Sequence, residues 1–490
     1  MFGKGSLKMS ATSAWTWLVV SSRATPRSLA WVAVWAAVMG TSAPLMRLAS
    51  GAQPPADEWV KMVADLITGK DKDFRTVGLE SVRTGDKNEA ATLHFAALLP
   101  ALSPEAQTGL LSALADRKDS AARPAVLALL ANEKDEVVRA AALRSLGSLG
   151  ESADVPLLMK SLSAGESQRD AARVSLGQLL GADVSQGIVA ELPNCKADVQ
   201  CVLLELLADR GDRTTLPAML KAAVGRDATV RTAAMRALAK LAEVEQVAGM
   251  VQGVLAAEAG QERDNAERAI VLVCQRISDP SLQAAPIIEA MRPLDAAQSA
   301  IVLPTLGRIG GPDALAIVNA WIHDANADKQ QVGMRALCNW PYATVVPQLI
   351  ELFATFEQAD TRTMVLGALI RVAPLADERS NVERLELLKQ TLAMCQRDED
   401  RNRVIERARA IRTIETLRFL LPFTADPVTA EKACSSIVEL AHYRDLREPN
   451  KAEFDRALDN VLAISKAPES IERATRYKNG QTWERPKPKR

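Results

Sequence analysis

The stretch "VRAAALRSLGSLGESADVPLLMKSL", residues 138–162, decides the fold. Val138, Ala142, Leu146 and Leu149 recur at helical spacing, the pattern breaks at Gly147 and Gly150, and it restarts at Pro156. No side chain in it is an obvious nucleophile, metal ligand or general base. Its meaning lies in its recurrence. Leu146 belongs to a series that runs Leu114, Leu146, Leu176, Leu207, Leu238, Leu272, Leu306, Leu337 and Leu369. The intervals are 32, 30, 31, 31, 34, 34, 31 and 32, and the rhythm loosens at Ile411 and Ile437. A fixed period of this length with a helical hydrophobic pattern marks an array of stacked helix pairs.

Proline marks the other helix of each pair. Pro124, Pro156, Pro217 and Pro347 each lie ten residues after a register leucine. Proline suits the first helical turn, where its missing N–H would be unpaired anyway. The glycines before it, Gly147 and Gly150 or Gly310 and Gly311, suit a left-handed end of the preceding helix. The second helix has its own start, as in "DEVVRAAALRSL" and "DATVRTAAMRAL". Asp135 and Asp227 are placed to cap it, and the spacing pairs them at i,i+4 with Arg139 and Arg231. Asp279-Pro280 and Asp426-Pro427 repeat the cap-then-proline start. Neither helix of a pair is stable alone, so each buries its stripe against its neighbours.

The lines at 135–146 and 227–238, with their "LG" pairs and downstream prolines, resemble the HEAT repeat. They are most similar to its short bacterial form, known from phycobilisome-lyase-like proteins. The segments 335–341, 364–372 and 430–441 resemble HEAT segments of large exported planctomycete-type proteins. The resemblance covers roughly 110–465. It implies an all-α fold, an α-α superhelix of the right-handed HEAT/ARM solenoid type, with about ten helix pairs. It says little about function, because such arrays host many tasks. The expected organisation is a targeting segment at 1–52, capping helices at 53–110, the solenoid at 111–477 and a disordered basic tail at 478–490. Around 376–425 the sequence predicts an enlarged repeat with a longer first helix.

Composition agrees with helices throughout: aromatic residues make up only 4% of 490 residues. Lys+Arg and Asp+Glu are both 60. The balance is uneven, since residues 1–52 hold five basic side chains and no acidic one. Residues 53–472 hold 48 basic against 59 acidic. An acidic body lacks the basic footprint that nucleic acid requires, so no nucleic-acid partner is expected. The acid-free start carries an apolar run at 29–39 after Arg23 and Arg27, and Ser50-Gly51-Ala52 offers a cleavage site before Gln53. It reads as an export signal, which makes the mature chain extracytoplasmic, periplasmic or secreted. An uncleaved anchor is the alternative, with membrane contact only if residues 28–46 are retained. A misplaced start upstream of a cytosolic chain is a third.

Six cysteines do not make a disulfide scaffold. Cys274, Cys338, Cys395 and Cys434 sit in or beside apolar helical runs, as buried thiols do. Cys195 and Cys201 bracket a loop-to-helix junction and form a candidate disulfide for an oxidising compartment.

Catalytic signatures are absent. The three histidines, His94, His323 and His442, lie far apart, and His94 reads as a core or partly buried imidazole. No zinc, phosphate-loop, nucleophile-elbow or haem-attachment motif occurs, so no catalytic, metal or cofactor residues and no cofactor are expected. One feature exceeds packing. Arg144, Arg236, Arg335 and Arg409 each stand two positions before a register residue. That offset is about 200° of helix, so they face away from the buried side. They form a candidate partner-binding stripe on the second helices, which line the concave surface of such arrays; the bland alternative is a solvated face. Trp340 is expected to pack between repeats. The leading reading is a non-enzymatic extracytoplasmic scaffold for protein partners of unknown identity. An enzyme or enzyme accessory, lyase-like or associated with carbohydrate-active proteins, and a membrane-anchored envelope component are the alternatives.

Overall fold

In a computed structural model, residues 56–85, 88–181 and 183–483 are described. The expected targeting segment, residues 28–46 included, lies outside them, as do residues 484–490. The chain divides into two compact units, 1–65 and 66–490. The first is described only where α1 (Ala56–Thr68) begins. The second opens with α2 (Lys72–Thr84), α3 (Glu89–Ala96) and α4 (Pro104–Arg117).

Ten helix pairs follow among the described residues. They begin with α5 (Arg123–Asn132) and α6 (Glu136–Leu149), α7 (Val155–Ser161) and α8 (Glu166–Gln178), then α9 (Asp183–Glu191) and α10 (Ala197–Arg210). Next come α11 (Leu216–Ala223) and α12 (Ala228–Leu241), α13 (Val247–Ala256) and α14 (Gln261–Cys274), then α15 (Ala285–Met291) and α16 (Ala296–Ile309). The series continues through α17 (Pro312–Ile322) and α18 (Ala327–Cys338), and α19 (Val346–Thr355) and α20 (Ala359–Val372). It ends with α21 (Asn381–Met394) and α22 (Asp398–Ala408), and α23 (Ile414–Leu420) and α24 (Ala430–His442). The chain finishes in α25 (Arg444–Arg447), α26 (Lys451–Ile464) and α27 (Pro468–Lys478).

The even-numbered helices from α4 to α26 pack successively into one layer, and shorter partners such as α7, α9, α11, α13 and α15 form the other. This is the expected all-α, α-α solenoid. The enlarged repeat is present too, since α21 has 14 residues and starts with a Ser380/Glu383 capping box.

The expected prolines all sit in the first turn of a first helix. Each follows a short 3-10 turn, which delivers the chain to the helix at a sharp angle. Asp279 caps such a turn rather than an α-helix, accepting from the Ser281 amide. Two glycine assignments need correction. Gly147 is inside α6, where a Cβ would stand 3.1 Å from Ser175 Cα of α8, so it permits close stacking of layers rather than ending a helix. Gly150 caps α6 in an extended conformation, φ −83°. Gly310 and Gly311 do have positive φ, +80° and +99°, and form the junction between α16 and α17.

The register leucines are the eleventh residue of α4, α6, α8, α10, α12, α16, α18 and α20, and every one is fully buried. Leu272 is the exception, at 55% exposed. Ala266, Glu267, Ala269, Ile270 and Val273 of α14 are buried in the pattern of Ala234, Met235, Ala237, Leu238 and Leu241 of α12. The register residue of α14 is therefore Ile270, 32 residues after Leu238 and 36 before Leu306. A second slip occurs at α22. Ser436 Oγ donates to the Ile405 carbonyl as Ser175 Oγ donates to Leu143, which makes Ala408 the counterpart of Leu146. Ile411 is buried three residues beyond it, as Leu149 is beyond Leu146.

Of the expected tail, residues 478–483 are among those described. Trp483 is buried, with the Arg473 guanidinium 4.6 Å from its ring. Trp340 is buried as expected.

Candidate functional site

Most arginines of the array have structural tasks, and these separate them from the arginines that do not. Asp135 accepts from the amides of Val137 and Val138, and Asp227 from those of Thr229 and Val230, so both cap as expected. Their expected i,i+4 partners turn elsewhere. Arg139 donates to the carbonyls of Leu130 and Glu133 at 2.9 and 3.0 Å. Arg231 donates to those of Gly225 and Arg226 and grips Glu262 through two bonds of 2.7 and 2.9 Å. Carbonyls at the end of the preceding helix have no intrahelical donor and carry the negative pole of its dipole, so they outbid an exposed carboxylate for the cation. The Arg231 bond holds the Glu262 carboxyl below its ordinary range.

A second set of arginines closes the ends of the second helices. Arg210 donates to the carbonyls of Leu176 and Leu179, Arg371 to Cys338 and Trp340, and Arg407 to Arg371. Arg276 reaches Ala242 and Ala239. Burial pulls the Arg210, Arg371 and Arg407 guanidiniums below their ordinary value, outweighing Asp212 beside Arg210 and Glu406 beside Arg407.

The candidate stripe lies on the outer face of the second-helix layer. Arg144 on α6, Arg236 on α12 and Arg335 on α18 are exposed. Among the described residues none of the three side chains makes a hydrogen bond or ion pair. Arg409 does not join them. It follows Ala408 by one position, lies half-buried, and is paired with Glu406 at 3.2 Å, which also holds Lys432. Glu406 is the residue two before the register at α22, so the row there is acidic. The corrected register adds a member instead: Arg268, two before Ile270, is exposed and has no hydrogen bond or ion pair among the described residues. The sequence held a signal for it. Arg263 follows Arg231 by 32 residues and donates to the Ala257 carbonyl, closing the preceding helix in the same way.

Cys195 and Cys201 are free thiols. Cys195 donates to the Glu191 carbonyl at 3.4 Å, while Cys201, one turn into α10, faces Thr229 Oγ1 of α12 at 3.9 Å. Helix α10 directs the second thiol to the next repeat and away from the first. The two thiols are unbridged in this structure. Burial pushes the Cys195 thiol up. His94 is exposed rather than buried, because α3 turns Thr92, Phe95 and Ala96 inward instead. His323 bonds the Asn319 carbonyl at 2.8 Å and His442 the Tyr477 hydroxyl at 2.9 Å. Among the described residues no three His, Cys, Asp or Glu side chains are grouped to hold a metal, and no helix is long and apolar enough to cross a membrane.

Residues 94–177 match the family described as HEAT repeats. No curated protein matches the chain. Among solved structures it is similar to the karyopherin Kap121p, at 12% identity and a TM-score of 0.48, over 86% of this chain and 53% of that one. Kap121p bound to Pho4p gives 12% and 0.48, over 87% and 54%. Kap95p, in a structure with RanGDP, gives 14% and 0.43, over 85% and 62%. The chain thus spans about half the length of the structures it matches first. The matched segment holds α4–α8, and helix pairs of the same order continue from there to α24, so HEAT-type repeats account for that segment and the array carries the same architecture onward.

Proposed function

We propose that this chain is a non-enzymatic scaffold that holds protein partners on the exposed, concave-side face of its second helices, in an extracytoplasmic compartment. One observation carries the reading: Arg144, Arg236 and Arg335 project from that face unpaired, while other arginines of the array are committed to carbonyls and carboxylates. Arginine is enriched at protein interfaces because its planar fork binds carboxylates and stacks on flat groups. A repeat array offers such groups on a pre-organised surface, which lowers the ordering cost of association. The compartment rests on the acid-free start of the chain. N-terminal sequencing of the protein from its host should give Gln53; a retained residue 1 would sink the cleaved signal and favour the anchored or cytosolic alternative.

The binding reading is tested by Arg144→Glu with Arg236→Glu. Both side chains are exposed, so the melting temperature should hold while crosslinked partners from the native host are lost. Unchanged capture would remove the face from consideration.

A further inference from the structure

We infer that residues Arg236, Arg268, Leu272, Ile301, Pro304 and Arg335 form one docking strip for an extended acidic segment with an apolar centre, supplied by a partner protein. The inference rests on the scaffold reading and names the partner's chemistry.

The strip follows from the corrected register. Arg236, Arg268, Pro304 and Arg335 all stand two positions before the register residues Leu238, Ile270, Leu306 and Leu337. They therefore occupy equivalent positions on α12, α14, α16 and α18, which pack successively. At one end Arg236 and Arg268 lie on adjacent helices, and at the other end stands Arg335. Between them stand exposed apolar side chains, beside the Arg308–Asp264 ion pair. Leu272, one turn beyond Arg268, is 55% exposed, and Ile301 and Pro304 of α16 are half-exposed. Pro304 lies inside α16 and has no N–H for the Ala300 carbonyl. That leaves a backbone acceptor on the same side of the helix.

Charge selects the occupant. Residues 53–472 carry 48 basic and 59 acidic side chains, so most of this surface repels an acidic segment. The strip concentrates guanidiniums that no carboxylate of the described residues neutralises. Packed helices lie about 8–10 Å apart, so the three steps from α12 to α18 span roughly 25–30 Å. An extended chain covers that with about eight or nine residues. The matching segment has two carboxylates about three residues apart, an apolar stretch, and a further carboxylate near its end.

A random library of peptides about 12 residues long is panned on the full chain and on the Arg236→Glu/Arg268→Glu variant. The wild-type chain should enrich peptides with carboxylates flanking apolar residues. These should bind the variant at least about tenfold more weakly, and the variant should enrich basic peptides instead. Leu272→Gln should weaken the same peptides severalfold, with the melting temperature unchanged. Enriched peptides without acidic bias that still lose binding to Arg144→Glu would overturn the acidic strip and leave the scaffold reading standing. A library that yields no binder overturns the strip and leaves the scaffold reading to the crosslinking test. Preferential binding of a single-stranded oligonucleotide, lost in the double variant, would overturn the strip in favour of phosphate recognition.

Discussion

Helices α12 and α14 are neighbours in one layer, share a register offset of 32 residues, and fill it with opposite chemistry. In α12 the interior position three before the register holds Met235, and the position two after it holds exposed Lys240, paired with Asp209. In α14 the same two positions hold Glu267, 4% exposed, and Leu272, 55% exposed. A helix placed by the polarity of each residue alone would rotate to exchange them. It does not rotate, because Ile270, Val273 and the Arg263 contact to the Ala257 carbonyl fix its phase. The buried acid is tolerated since Arg308 of α16 reaches it at 2.6 Å and shares Asp264 at 2.7 Å. Packing of the layer sets register here, and charge is accommodated afterwards.

Removing that accommodation has the largest expected effect. Arg308→Ala leaves Glu267 buried without a counter-charge and should cost about 3–5 kcal/mol, read by urea unfolding. The double change Glu267→Met/Arg308→Met makes α14 resemble α12 and should recover most of that loss or exceed the parent. The pair also predicts a pH dependence. Burial raises the Glu267 carboxyl above its ordinary value, outweighing the bond from Arg308. A raised acid binds its proton more tightly when folded than unfolded. Its contribution is complete below the ordinary glutamate range and is lost as pH rises through the raised value. Stability of the parent should therefore fall across that window, and Glu267→Gln should flatten the fall. Equal slopes would contradict the burial argument.

The next effect tests how closely the layer is stacked beyond α14. An added Cβ at Gly307 would stand 1.9 Å from the Ala336 carbonyl oxygen, a backbone atom that moves only if α16 and α18 separate. Gly307→Ala should cost about 3 kcal/mol. At the equivalent Gly177 the nearest atom is Leu206 Cδ1 at 3.3 Å, the end of a flexible side chain. Gly177→Ala should be neutral, or stabilising by up to about 1 kcal/mol from better helix propensity. Equal thermal shifts for the two would mean that the layer is not tighter at α16.

A smaller difference separates the two capping arginines. Arg231 serves two carbonyls and both oxygens of Glu262, whereas Arg263 shows one carbonyl contact. Arg231→Met should cost about 2–3 kcal/mol and Arg263→Met about 1 kcal/mol. If Arg263→Met proved the more damaging, the equivalence of the two positions would fail.

The same pair of helices shows how far the sequence could be read. Leu146 and Leu238 announce their register because polar residues stand around them, so only one phase buries an apolar stripe. In α14 the run "AIVLVC" is apolar at six consecutive positions, so any phase buries something apolar, and Leu272 is the natural but wrong choice. Burial of Glu267 is invisible until Arg308, 41 residues later, is known to face it. The slip hid Arg268 as a member of the exposed row, and a similar slip at Ile411 put Arg409 into it. The turns were legible through Pro124, Pro156, Pro217 and Pro347, since proline has few other places to go. Gly147 was misread because a glycine needed for close helix approach and one needed for a turn look alike in sequence.

Leu272 gives the smallest stability change and the sharpest separation of roles. As an exposed residue it buries little that folding would lose, so Leu272→Gln should shift stability by no more than about 0.5 kcal/mol. The residue it aligns with, Lys240 of α12, shows that the position accepts a polar side chain without moving the helix. If leucine is retained there for packing against another repeat, the substitution should instead cost a kilocalorie or more and broaden unfolding. Differential scanning calorimetry of Leu272→Gln beside the Glu267→Met/Arg308→Met chain distinguishes the cases. An unchanged melting temperature together with weakened acidic-peptide binding would assign the outward leucine to recognition, and the inward glutamate to an exception that the stacked layer absorbs.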